Sequence, residues 1–348
     1  MNNSIYPWQL EVWRQLQQLR PAMPHAILLH GPAGTGKSVF AECFAQSLLC
    51  ENRRPDGHSC RQCASCGWFS QYSHMDYRRV RPEAMDRKEA EEDAGGDADE
   101  GGTESQGGRT SKEPSKEIRI SQVRALTGFV NLSTHRHGLR VIVLYPAEAL
   151  NAESSNALLK MLEEPPPGTV FLLVTSNPDS LLPTILSRCR KIAMPMPGRE
   201  ESLVWLREQG IEDADVWLAE QGGAPITALE QARAGNREEM DEFLRQLATP
   251  GADSLFRTAE RLQKIPLAQL IAWLQRWLYD IFSVRFTGTI RYYPRYQKEL
   301  IALAAIANVG ALLQMLKSVN ERNRVAAHPL TPRLLIEDML LDYAKVVS

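Results

Sequence analysis

Residues 31–38 read Gly31-Pro32-Ala33-Gly34-Thr35-Gly36-Lys37-Ser38, and this octapeptide decides the fold. It satisfies G-x-x-x-x-G-K-[ST], the pattern of a phosphate-binding loop. Ala26-Ile27-Leu28-Leu29 before it reads as a buried strand, and Val39, Phe40, Cys43, Phe44 and Leu48 after it recur at helical spacing. Strand, glycine loop and helix in that order give the motif its context. Glycines let backbone N–H groups approach phosphate oxygens, and the helix N-terminus adds a partial positive charge. Lys37 is expected to reach the β/γ-phosphates and Ser38 to ligate Mg²⁺, with ATP or ADP as the nucleotide. A glycine-rich turn that binds nothing is the plain alternative, and the completeness of the motif argues against it.

Outward from the loop, residues 1–195 alternate strand and helix signals. Further strands are expected at 77–81, 140–145, 170–175 and 191–194. Val141-Ile142-Val143-Leu144 and Val170-Phe171-Leu172-Leu173-Val174 are continuous apolar runs, as in central parallel strands covered on both faces. A helix is expected over 152–164, capped by Asn151 and stopped by Pro165-Pro166-Pro167.

The loop lacks its usual companions. A phosphate-loop ATPase places an Asp, often followed by Glu, at the end of a second apolar strand, to hold Mg²⁺ and polarise the attacking water. Here the strand over 140–144 is followed by Tyr145-Pro146-Ala147-Glu148. Neither Tyr145 nor Pro146 can replace a carboxylate, and Glu148, three residues late, is expected to face elsewhere. Nucleotide can bind, but hydrolysis by this chain alone should be poor.

The chain's 348 residues, 43% of them hydrophobic, suffice for two or three domains with a sizeable core. A net charge of −2 is no global nucleic-acid signature. Residues 89–104 hold eight acids and no base, so removing their −8 leaves +6 on the remainder, compatible with nearby DNA without indicating it. No signal peptide or membrane-length apolar run is read, and the cytoplasm is the expected location. Residues 86–117 contain no Val, Leu, Ile, Met or aromatic residue. They are expected to form a disordered acidic insertion, because they cannot bury enough apolar surface to offset ordering.

After residue 199 the strand signals stop. Amphipathic helices are expected at 236–247, 253–264, 266–284, 297–307, 309–320 and 331–346. Pro225, Pro266 and Pro332 mark starts, with Thr331 as a cap and Asn236 with Glu239 as a capping-box pair. Gly210, Gly222 and Gly235 mark ends. Trp273, Trp277 and Tyr279 read as core.

Cys50, Cys60, Cys63 and Cys66 form C-x9-C-x2-C-x2-C. Four thiolates so close in sequence suit tetrahedral Zn²⁺, and a filled shell makes the ion structural. An iron–sulfur motif would continue with x3-C-P, whereas Gly67-Trp68-Phe69-Ser70 follows. Disulfides are disfavoured in a reducing compartment, and inert core cysteines would lie on an apolar face rather than among Asp56, Arg61, Gln62 and Ser65. His58 and His74 are further candidate ligands; Cys43 and Cys189 read as ordinary buried cysteines.

Asn156-Ala157-Leu158-Leu159-Lys160-Met161-Leu162-Glu163-Glu164-Pro165-Pro166, followed by Ile185-Leu186-Ser187-Arg188-Cys189, resembles the AAA+ subunits of the bacterial DNA polymerase III clamp loader. The inserted four-cysteine module is similar to theirs. The resemblance covers most of residues 1–235 and is most specific over 140–190. It implies an AAA+ α/β domain over 1–195 with a zinc module near 50–66, a helical lid over 196–235 and a helical collar over 236–348. Two kinds of subunit compete, the ATP-hydrolysing gamma/tau motor and the delta-prime stator. Tyr145-Pro146 at the acidic-pair positions and Ile226 at the lid's phosphate-sensing arginine position favour the delta-prime kind. Thr175 keeps a polar group at the sensor-1 position. The resemblance further implies that Arg188 projects into a neighbouring subunit's ATP site as an arginine finger. It implies a hetero-pentamer with gamma/tau and delta subunits that loads the sliding clamp on primer-template DNA, in the cytoplasmic, nucleoid-associated replisome and away from membranes. The rivals are a self-sufficient motor ATPase and, from another class, a zinc-containing DNA-binding module with a vestigial nucleotide fold. A small-molecule kinase is disfavoured, since no base is offered beside an acceptor pocket.

Overall fold

The continuous apolar runs form the middle of a five-stranded parallel sheet. In the structure, a computed structural model describing residues 4–93, 114–131, 138–235, 237–249, 261–325 and 332–347, the strands are β1 (Ala26–His30), β2 (Tyr77–Val80), β3 (Arg140–Leu144), β4 (Thr169–Thr175) and β5 (Arg190–Ala193). Their order is β2-β3-β4-β1-β5. Helices of this part are α1 (Leu10–Leu19), α2 (Lys37–Leu49), α3 (Ala64–Ser70), α4 (Glu83–Asp93), α5 (Ile120–Asn131), α6 (Ala152–Glu163) and α7 (Pro183–Arg188). Alternate strand residues point to opposite faces, which is why the runs are unbroken. Ile27, Leu29, Val143 and Leu172 pack with Trp13, Phe40 and Phe44 of α1 and α2. Leu28, Ile142, Phe171 and Leu173 pack with Val123, Leu158 and Ile185 of α5, α6 and α7. Each such buried side chain contributes about 1.5–3 kcal/mol.

Parallel pairing brings the C-terminal strand ends to one rim. His30 lies beside Thr175 on one side and Ala193 on the other, so the phosphate loop, the residues after β4 and those after β5 meet there. Asn151 caps α6 as expected, its Oδ1 accepting from Ser154 N–H at 3.0 Å.

The acidic insertion begins later than composition suggests. Residues 86–93 continue α4, because Arg79 and Arg81 at the end of β2 bind its acids: Arg79 contacts Glu89 at 2.9 Å and Asp86 at 3.8 Å, and Arg81 pairs with both. Residues 94–113 lie outside the described residues.

The chain divides into two units, Met1–Met196 and Pro197–Ser348. Among its described residues the second is all helix: α8 (Arg199–Glu208), α9 (Ala214–Glu220), α10 (Pro225–Ala234), α11 (Arg237–Ala248), α12 (Leu267–Thr287), α13 (Gln297–Ile306), α14 (Val309–Val325) and α15 (Pro332–Val347). Pro225 opens α10, and Gly235 closes it in the left-handed conformation at φ 73°. Asn236, Thr331 and most of the helix expected at 253–264 lie outside the described residues. Trp273 and Trp277 are core, and the Trp277 indole donates to Tyr343 Oη, which donates to Leu247 O (2.9 and 2.7 Å). Tyr279 is not core: it is exposed, with its ring edge-on to Tyr292, because it stands on the open edge of α12 while Trp277, Leu278 and Ile281 on the same turns are buried. Among the described residues no single helix is long and apolar enough to cross a membrane.

Candidate functional site

The phosphate loop is shaped by what touches it. At Gly31 a Cβ would fall 1.9 Å from Met194 O, so the loop can leave β1 only without a side chain. Gly36, the N-cap of α2, has φ 79° and lies against the Tyr6 ring, 2.3 Å from where a Cβ would stand. Lys37, buried, turns its Nζ back to donate to Pro32 O, which also accepts from Thr35 Oγ1 at 3.1 Å. Burial lowers the Lys37 ammonium to about 8, with the charge of Glu148 opposing the shift. Thr175 is buried at the end of β4, its Oγ1 accepting from Asn177 N–H at 3.0 Å. Gly34 is left-handed at φ 71°, Pro32 and Ala33 are exposed, and Ser38 is half-buried at the start of α2.

Sequence reasoning missed the segment over the loop. Trp8 Nε1 and Gln9 Nε2 both donate to Thr35 O, at 3.0 and 2.8 Å, and the Tyr6 and Trp8 rings stack with centroids 5.0 Å apart. These contacts span 26–27 residues, and no periodic pattern reports them.

The end of β3 holds a phenol where an acid was sought. Tyr145 is buried, and its hydroxyl donates to Glu42 Oε1 of α2 at 2.7 Å. Glu42, also buried, accepts from Tyr72 Oη at 3.2 Å and faces Arg79 at 3.7 Å. Arg79 lies over the Tyr72 ring, 3.7 Å from its centroid. Burial raises both phenols, Tyr72 to about 12. Tyr145 therefore locks α2 to the sheet.

Glu148 does not face elsewhere. After the cis Tyr145–Pro146 bond the chain makes one 3-10 turn, Ala147–Ala149. Glu148 Oε1 then accepts from Ser176 N–H at 3.0 Å, while Oε2 is buried without a hydrogen-bond partner. Linear distance from β3 hid this; the turn carries the carboxylate back to the rim.

Arg188 ends α7, with a third of its side chain exposed. Its guanidinium donates to Glu163 Oε1 (2.7 Å), to Thr184 O (3.0 Å) and to Ser187 Oγ (3.4 Å).

Cys50, Cys60, Cys63 and Cys66 converge, all four Sγ atoms lying within 4.8 Å of one another. Cys50 and Cys63, and Cys60 and Cys66, approach to 4.0 Å. A tetrahedral ion with Zn–S bonds of about 2.3 Å needs sulfurs roughly 3.8 Å apart, so the cluster is close to the right size. Backbone N–H groups of Gln62 and Cys63 point at Cys60 Sγ (3.5 and 3.3 Å) and pull that thiol down to about 6, toward the thiolate a metal requires. Burial pushes Cys50 and Cys66 up, an effect a bound cation would reverse. Neither histidine joins the group. His58 stacks on Trp13 at 4.2 Å. His74 Nδ1 accepts from Asp76 N–H, so Nε2 carries the proton to Ser65 Oγ at 2.7 Å, which donates to Leu49 O. Cys43 and Cys189 are separate and buried, raised by burial to about 12 and 11.

Two family models match the chain: "DNA polymerase III, delta subunit" over residues 8–197, and "DNA polymerase III, delta subunit, C terminal" over residues 235–345. The DNA polymerase III subunit delta' of Pseudomonas aeruginosa is 35% identical over 317 residues, covering 88% of this chain and 83% of that protein. The same subunit of Escherichia coli K12 is 27% identical, covering 97% and 94%. A gamma subunit-related protein of Thermotoga maritima superposes with a TM-score of 0.42 at 17% identity, covering 98% of this chain and 100% of that one.

Proposed function

The chain belongs to the DNA polymerase III delta-prime family, and from that premise we propose that it is a clamp-loader stator that completes a neighbour's ATP site while hydrolysing little or no ATP itself. Its relatives are named DNA polymerase III subunit delta', and on this reading its role is that of the delta-prime subunit of a clamp loader in DNA replication. The observation that carries the division of labour is the pairing of Tyr145, buried on Glu42 where an acid would serve hydrolysis, with Arg188, accessible at the end of α7. A guanidinium reaching a neighbour's γ-phosphate would stabilise charge on the transferring group, an effect worth on the order of 10³-fold or more.

Residues 31–38 with Thr175 form the nucleotide site on this reading. The N-terminus of α2, which no side chain caps, with the amine of Lys37 and the hydroxyl of Ser38 on its first turn, fits a phosphate chain with Mg²⁺, which would supply charge neutralisation there. Cys50, Cys60, Cys63 and Cys66 hold structural Zn²⁺, supported by their spacing and the pulled-down Cys60 thiol. Residues 1–195 act as the AAA+ domain, 196–235 as a helical lid and 236–348 as a collar that joins gamma/tau and delta subunits. The sliding clamp and primer-template DNA are met through that complex, in the cytoplasm at the replisome.

The test is ATP turnover by the complex rebuilt with variants of this chain. Lys37→Ala should barely change it and Arg188→Ala should depress it. Equal large losses from both would refute the stator reading in favour of a motor.

A further inference from the structure

One charged group at the rim is left without a task. Glu148 Oε1 is fixed by Ser176 N–H, yet Oε2 of the same carboxylate is buried and meets no donor. A buried carboxylate oxygen left unpaired is unfavourable, and native structures keep such atoms where an ion or water completes them. The position argues which one. Ser176 follows Thr175, whose register partner on β1 is His30, the residue before the loop. Glu148 thus hangs from the strand end that flanks the phosphate loop, and its charge is felt at Lys37. The position at the end of β3 cannot do this work, because Tyr145 is committed to Glu42.

We propose that Glu148 is the metal-positioning carboxylate of this phosphate loop, holding through its unpaired oxygen a water of the hydrated Mg²⁺ that accompanies a bound nucleoside diphosphate or triphosphate. The proposal rests on the reading of residues 31–38 as a nucleotide site. Mg²⁺ dehydrates reluctantly and is usually bound through one or two carboxylates, retained waters and the substrate's phosphates, so contact through water suits a group four residues beyond the strand end.

The test uses the full chain, a fluorescent ADP, and Mn²⁺ as a spectroscopic stand-in for Mg²⁺. Glu148→Gln keeps the acceptor for Ser176 N–H and the side chain's size while removing the charge. It is expected to weaken metal affinity of the chain–ADP complex about 10–100-fold, the range for outer-shell ligand partners, with metal-free ADP affinity nearly unchanged. Glu148→Asp, which keeps the charge on a shorter arm, should fall between Glu148→Gln and wild type. It serves as the readout if Glu148→Gln proves unstable. Unaltered Mn²⁺ affinity in Glu148→Gln, or an equal loss in both variants, would overturn the role of Glu148 alone. Failure of the wild-type chain to bind ADP with or without metal would overturn the nucleotide reading and this inference together.

Discussion

Replacing Glu163 should release Arg188 without harming the reaction it is proposed to serve. In the isolated chain the guanidinium rests on Glu163 Oε1 at 2.7 Å, with side-chain exposures of 33% and 49%. An ion pair this wet is worth about 0.2–1 kcal/mol, since water screens the charges and ordering two long side chains opposes it. An arginine that stabilises a transferring phosphoryl group contributes on the order of 10³-fold, or about 4 kcal/mol. Leaving Glu163 therefore uses at most about a quarter of what the new contact would give. The hydrogen bond to Thr184 O is unaffected by the change and continues to orient the side chain. Glu163→Gln should raise single-turnover ATP cleavage at the neighbouring site, by no more than about fivefold. Arg188→Ala should lower it about 10³-fold, and Arg188→Lys should not restore it, because an ammonium lacks the planar fork. The assay is single-turnover cleavage of labelled ATP by the assembled complex with clamp and primed DNA present. If Glu163→Gln is as damaging as Arg188→Ala, the pair is a structural tie and the reasoning fails. If Arg188→Ala leaves cleavage untouched, the finger is refuted outright.

Two further outcomes are expected. Metal analysis should find one zinc per chain, and Cys63→Ser should lose it and lower the melting temperature while ADP affinity is kept; a metal-free native chain would contradict this. Burial holds Lys37 near 8, below its ordinary value of 10.5, so the free chain carries it partly neutral at pH 8.5. A phosphate placed beside it raises it again, so ADP binding at that pH should take up protons and weaken as pH rises further. Calorimetry in buffers of different ionisation enthalpy reads the uptake, and proton release or none would contradict it.

Most of the sheet was legible because each strand carries its own signal. The runs at 141–144 and 170–174 are apolar without interruption, and only a strand covered on both sides needs that. The cysteine cluster was legible because its ligands lie within one short stretch. What escaped was set by partners far away in sequence. Residues 86–93 look too polar to fold, yet Arg79 and Arg81 supply the countercharge that holds α4. Glu148 looked misplaced because counting from β3 ignores a turn that brings it to Ser176. Tyr6, Trp8 and Gln9 gave no hint, since their link to Thr35 is a matter of packing and two side-chain N–H groups meeting one carbonyl. Tyr279 was misjudged for the opposite reason: its spacing matches the stripe, and only the facing helices decide which edge is covered.

The bond between Tyr145 and Glu42 has a consequence for descent. Placing an acid there by Tyr145→Asp would not make an engine. It would remove one of the two phenols that satisfy Glu42 and set a second negative group near a buried first one, where like charges resist ionising together. A path to hydrolysis must therefore rebuild the helix behind the loop along with the strand before it, and a single substitution meets a ratchet.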